Sequence, residues 1–182
     1  MAKHALLSVV AVAIATIGLT APRSALAAAA GVDEDATAAL KTLYASEPAA
    51  KMLSEKAKAI LVFPNIVKAG FMVGAQYGEG VLFQGGRPVG HYNSIAGSYG
   101  YQAGLQRFGY ALFLMNDEAL KYVDRSGGWE IGVGPSIVVV DKGKGKSITS
   151  TTLTKDVYAF IFNQKGLMAG AGIQGSKITK VD

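Results

Sequence analysis

The chain has 182 residues, half of them hydrophobic, and no cysteine. One domain is the default at this length, disulfides and cysteine-bound metals are excluded, and the core alone must hold the fold. A formal net charge of +5 is mildly basic, which suits an anionic surface without demanding one.

The first 27 residues have the layout of a secretory signal peptide. Lys3 and His4 precede an almost wholly apolar run over residues 5–20, Pro22 and Arg23 break it, and Ala25-Leu26-Ala27 fits a small-x-small cleavage site. An uncleaved membrane anchor is the alternative, but the run falls short of the ~20 apolar residues that span a bilayer. The expectation is therefore a signal peptide over 1–27, cleaved near Ala27, and one domain over 28–182 in an exported protein, periplasmic or secreted. Loss of Lys3 and Arg23 leaves 16 basic residues against 13 acidic, a net charge of +3. No cysteine follows the apolar run to carry a lipid anchor.

Asp33 stands where it can cap a helix, with Glu34 and Asp35 in its first turn. Ala36, Ala39, Leu40 and Leu43 recur at helical spacing and carry that helix to about Ala45. Ser46 and Pro48 restart the chain as an N-cap and a first-turn proline. The second helix then places Ala50, Leu53, Ala57, Ile60 and Leu61 on one face, with Lys51, Glu55 and Lys58 opposite and Lys56 on the flank. Such a face either meets anionic lipid or is simply solvated, its field partly neutralised by Glu55. Pro64 ends the helical region.

From there the period changes to that of strands. Of the 23 glycines, all but Gly18 and Gly31 lie from Gly70 onward, which predicts turns, bulges and closely approached strands. Ile66-Val67 and residues 71–83 read as strands, followed by a turn at Gly85-Gly86-Arg87-Pro88. Residues 98–115 have room for a long hairpin or two paired strands. Asn116-Asp117-Glu118 opens a short helix through Ala119, Leu120 and Val123. Residues 129–140 predict one strand, 141–146 a lysine-bearing turn, 147–154 an exposed strand, and 157–162 with 167–178 a terminal hairpin.

Motifs for catalysis fail on context. Gly170-Ala171-Gly172-Ile173-Gln174-Gly175 matches G-x-G-x-x-G, but a strand pattern follows it instead of a phosphate-binding helix. Gly145-Lys146-Ser147 resembles the end of a phosphate-binding loop, yet Val140 stands where the first glycine belongs. Ala96-Gly97-Ser98-Tyr99-Gly100 nearly matches a nucleophile elbow, but no histidine follows Ser98. A single histidine after residue 27 and the lack of any D-x-D-x-D-G loop give metal no evident site. The inventory predicts no enzyme, no cofactor and no nucleic-acid partner.

Residues 57–83 resemble the opening of a SYLF domain, also known as the Ysc-type domain of actin-patch proteins. The resemblance rests on Ala57-Lys58-Ala59-Ile60, Phe63-Pro64, Lys68-Ala69-Gly70-Phe71, Val73-Gly74 and Gly78-x-Gly80-Val81. It continues in Gly97-x-x-Gly100-x-Gln102-x-Gly104, Leu114-Met115-Asn116 with Ala119-Leu120, Tyr158, Lys165-Gly166-Leu167 and Ala169-Gly170. It covers roughly residues 40–180. The family often has a tryptophan-containing segment where this chain has His91-Tyr92-Asn93. The resemblance implies lipid binding of the phosphoinositide type through an amphipathic basic region, with actin as a protein partner in some members. In an exported protein the ligand becomes another anionic lipid or a membrane surface. It singles out Lys51, Lys56, Lys58 and Lys68, with Lys142, Lys144 and Lys146 as a second basic group.

The fold expected is α+β: N-terminal helices packed on a curved, mostly antiparallel, glycine-rich sheet resembling a half-barrel. The function expected is a non-catalytic lipid-binding module. The alternatives are a small outer-membrane β-barrel, supported by the signal peptide and the glycine- and aromatic-rich strands, and a protein-interaction module with no lipid role.

Overall fold

A computed structural model of the chain describes residues 21–140, 153–166 and 172–181, with side chains described for these except 21–27 and 98–103. Two helices, α1 (Ala21–Ser46) and α2 (Pro48–Ser54), lead into two very long strands, β1 (Ala59–Gln84) and β2 (Arg87–Leu114). A short helix α3 (Asp117–Val123) and the strands β3 (Trp129–Glu130), β4 (Ile137–Val140), β5 (Val157–Gly166) and β6 (Lys177–Lys180) complete the described chain. The sheet runs β3-β6-β2-β5-β4, with β1 on β2, and every pairing is antiparallel except β4 with β5. The α+β fold with a curled, mostly antiparallel sheet is the one the sequence predicts.

The organising element is the β1–β2 hairpin, joined at the Gly85–Gly86 turn and bent sharply at its middle. Between the Phe71–Ala103 and Val73–Tyr99 pairs, β1 contributes one residue and β2 three, so the outer strand takes the longer path round the corner. A Cβ built on Gly70 would lie 2.3 Å from the Gly74 Cα, so only glycine lets β1 double back so tightly. Met72, at the turning point, has a φ of 60°, a left-handed conformation uncommon outside glycine. The Gly97-x-x-Gly100-x-Gln102-x-Gly104 segment forms the β2 side of this corner.

The bend folds the ribbon into two limbs. Residues 59–70 and 104–114 form one, extended by β5 and β4. Residues 73–84 and 87–99 form the other, extended by β6 and β3. Where the limbs cross, a Cβ on Gly80 would lie 2.5 Å from the Phe63 ring, so glycine is required for the approach.

Strand alternation sorts side chains into two cores. Leu61, Phe63, Tyr110, Leu112, Leu114, Val157 and Ala159 point between the limbs, where Leu82, Tyr92, Trp129 and Ile178 meet them. Ile60, Val62, Val81, Phe83, Ala111, Phe113, Tyr158 and Phe160 point the other way, against Ala36, Ala39, Leu40 and Leu43 of α1 and Ala50 and Leu53 of α2. Burying each large apolar side chain contributes about 1.5–3 kcal/mol. Near the closed end the strands' outer face is thus covered by helices and their inner face is filled, whereas toward the bend the outer face is exposed.

Burial on both faces explains the main departures from the sequence reading. A two-sided strand reads as a continuous apolar run, which periodicity alone does not separate from a buried helix. Residues 59–63 therefore pair with 110–114 as β1, and α2 ends at Ser54. Ala57, Lys58, Ile60 and Leu61 are not on that helix, and Pro64 sits in a bulge between Phe63 and Ile66, where no ladder bond is lost. Asp33 lies well inside α1 and pairs its Oδ1 with His91 Nε2 at 3.0 Å instead of capping. The N-cap position of α2 is Glu47, without a side-chain bond, and Pro48 follows it as expected.

Residues 98–114 belong to the single strand β2. The span 129–140 is two strands separated by turns. Among the described residues the expected terminal hairpin does not form, because β5 pairs with β2 and β4 on one limb while β6 pairs with β2 and β3 on the other; residues 167–171 of its second arm lie outside the described residues. Asn116 does cap α3, accepting from the Ala119 amide at 2.9 Å. The expected turn at 141–146 and most of the strand at 147–154 lie outside the described residues.

Candidate binding surfaces

The two ends of the folded ribbon differ in chemistry. At the closed end, the start of β1 returns beside the Gly85–Gly86 turn, and both face α1. They enclose a groove of about 500 Å³. Leu40, Ile60 and Phe83 contribute apolar lining, while Lys41, Lys58 and Glu55 supply charge. Tyr44 also lines it, and burial pushes its phenol above the usual tyrosine range. Lys58 lies 4.0 Å from Asp117, but both are exposed, so that pair is weak and leaves the ammonium available. A groove with an apolar side and cations beside it suits an amphiphile bearing a negative head.

Of the sequence candidates, Lys58 lines this groove, and Lys51 and Lys56 are exposed close by in the chain, on α2 and the connector after it. They do not share one helical face, since the helix stops before two of them. Lys68 is elsewhere. Ten residues along β1, about 30 Å from Lys58 at ~3.3 Å per residue, it is only 6% exposed and in register with buried Gln106. It is an interior residue near the bend instead of the surface contact expected. Lys142, Lys144 and Lys146 lie outside the described residues. Lys41 and Tyr44 were missed, although their spacing of three on α1 places them on neighbouring helix positions.

The inner face near the bend is polar. Gln76 Nε2 donates to Ser176 Oγ at 2.8 Å, Tyr110 donates to Ser94 Oγ at 2.7 Å, and all four side chains are buried. Gln106 Oε1 is buried without a partner among the described residues. A second polar knot ties the chain before α3 to the start of β5. Asp156 accepts from Ser136 Oγ at 2.6 Å, the Ser136 amide at 2.8 Å and Asn116 Nδ2 at 2.7 Å. The Ser136 hydroxyl, then its amide, then Asn116 hold that carboxyl below the usual carboxylate range. Both carboxylate oxygens of Asp156 are engaged in this knot, an arrangement that serves the fold.

The catalytic motifs set aside above have these places. Ser98 and His91 lie seven residues apart on one unbroken run of β2 pairing, about 23 Å at strand rise. The last four residues of the G-x-G-x-x-G match lead through a turn into β6, so no helix N-terminus faces them. Among the described residues no group of three or more His, Asp or Glu side chains is placed to hold a metal ion, and no helix is long and apolar enough to cross a membrane.

Residues 95–182 match the family model Ysc84, described as Las17-binding protein actin regulator. That match supports the SYLF resemblance over the C-terminal half of the chain. It takes in the β2 side of the bend, α3 and β3 to β6, and begins after both helices and β1. The groove lysines therefore lie outside the matched segment, as does Lys68. No match is found among curated proteins.

Proposed function

We propose that this chain is an exported, non-catalytic lipid-binding module of the SYLF type, holding an anionic amphiphile at the closed end of its ribbon. The observation that carries the reading is the groove with Leu40, Ile60 and Phe83 on its apolar side and Lys41 and Lys58 beside them. The family match adds to it, because the family is one of binding regulators. The apolar run and small-x-small site of residues 1–27 support export. Cleavage near Ala27 leaves the buried face of α1, from Ala36 to Leu43, intact.

The test is calorimetric titration of the folded chain with short-chain, monomeric phosphatidylglycerol and phosphatidylcholine. Phosphatidylglycerol binds at least about tenfold more tightly, and the Lys41→Glu/Lys58→Glu double variant loses that preference while keeping its melting temperature. Equal affinity for the two lipids, unchanged in the double variant, would sink the reading.

The family description names a protein that the family binds, which favours a second reading as a protein-interaction module without a lipid role. Absence of lipid binding both in the same titration and to phosphatidylglycerol vesicles selects it.

A further inference from the structure

The far end of the ribbon carries an unexplained cluster. At the corner of β1, Phe71 is 75% exposed, Met72 54% and Val73 57%; Leu105 on β2 and Tyr77 are also exposed. These are consecutive large apolar side chains on a convex tip. A protein that keeps such residues together outside its core has a use for them, since scattered single exposures are the norm. The backbone carrying them is bent by Gly70 and Gly74 and held in a left-handed conformation at Met72. The tip is therefore a built projection, not a frayed loop.

Charge decides the partner. The segments that frame the corner, residues 66–77, 95–107 and 163–166, contain Lys68, Arg107 and Lys165 and no Asp or Glu; beyond them on β1, exposed Glu79 accepts from the Tyr77 hydroxyl at 3.0 Å and so has a partner of its own. Arg107 and Lys165 are exposed and directly paired across β2 and β5, a step behind the apolar tip. An apolar point backed by cations matches the layering of an anionic bilayer, with acyl chains beneath and phosphates above. A protein groove has no such layering.

We propose that the bend of the β1–β2 ribbon is a membrane-docking wedge. Phe71, Met72 and Val73 enter the acyl region of an anionic phospholipid bilayer, while Arg107 and Lys165 meet its phosphates. The proposal rests on the anionic-lipid reading for the class of ligand and places the bilayer contact at the end opposite the groove. The two ends lie about 30 Å apart along the strands, so a docked wedge points the groove away from the membrane surface.

Two variants of the full folded chain test it. In Phe71→Trp, the new indole is exposed, whereas native Trp129 is buried. On phosphatidylglycerol-containing vesicles its emission shifts to the blue and is quenched by lipids brominated along the acyl chain, and wild-type emission does not change. In Phe71→Ser, vesicle co-sedimentation weakens at least about tenfold, while the short-chain lipid titration of the groove is unchanged. Vesicle binding with no quenching at position 71 overturns the wedge and leaves the groove reading standing. Failure of wild-type protein to bind vesicles also overturns it and marks the tip as a protein-docking point. Loss of short-chain lipid binding alone counts against the groove and leaves the wedge intact.

Discussion

Phe63 and Phe71 stand eight residues apart on one strand and have opposite fates. Phe63 is fully buried, its ring 4.7 Å from that of Tyr110 and pressed against Gly80 of the returning limb. Phe71 projects from the corner into solvent. Phe63 stands in an apolar run before Pro64 and Phe71 between Gly70 and Gly74, and neither pattern by itself says which ring is buried. What separates them is the fold of the ribbon. Near the closed end, β1 lies between the other limb and the helices, so both faces are covered. At the corner there is no further layer.

Three measurements sharpen that contrast, the first by asking for the largest effect. Phe63→Ala destabilises the protein by about 3–5 kcal/mol in denaturant unfolding, as expected for a large cavity in a two-sided core. Phe71→Ala changes stability by less than ~0.5 kcal/mol, as at other exposed positions. Similar losses at the two sites would show that the tip packs against something.

The second concerns the knot that joins the chain before α3 to the start of β5. Asp156→Ala costs about 2 kcal/mol at neutral pH, because Ser136 and Asn116 lose their charged acceptor. The folded carboxyl titrates below its ordinary value of 3.8. Its contribution is therefore present above that value and fades as pH falls through the lower folded value. The stability gap between wild type and variant narrows below about pH 4. A gap constant down to pH 2 would mean that the hydrogen bonds do not favour the ionised form.

The smallest effect is at the corner. Met72→Gly stabilises by about 0.5 kcal/mol, the relief of a left-handed non-glycine residue less the added freedom of glycine in the unfolded chain. Loss of stability would show that the Met72 side chain is held by a contact. If the wedge operates, this stabilised variant binds phosphatidylglycerol vesicles more weakly, since it lacks one of the inserting side chains.

The sequence by itself determined that a helical region precedes a glycine-rich sheet, that Asn116 starts a helix, and that Pro48 opens one. These features are local. Capping, helical spacing over Ala36–Leu43, and turn chemistry at Gly85–Gly86 act within a few residues and need no distant partner. The sequence also marked Lys58, which lines the groove, and the segments that meet at the bend.

Tertiary structure alone decided the rest. Residues 59–63 become a strand because residues 110–114 pair with them and both faces are covered, so their apolar run carries no period to read. Lys68 is buried because register places it beside Gln106 on the inner face, and register is a property of two strands together. The groove joins Lys41 of α1, Lys58 of the connector and Phe83 of β1, residues far apart in the chain. The exposed tip exists because a 26-residue strand doubles back at Gly70–Gly74. Glycine permits that bend locally, but the packing of one limb across the other is what holds it.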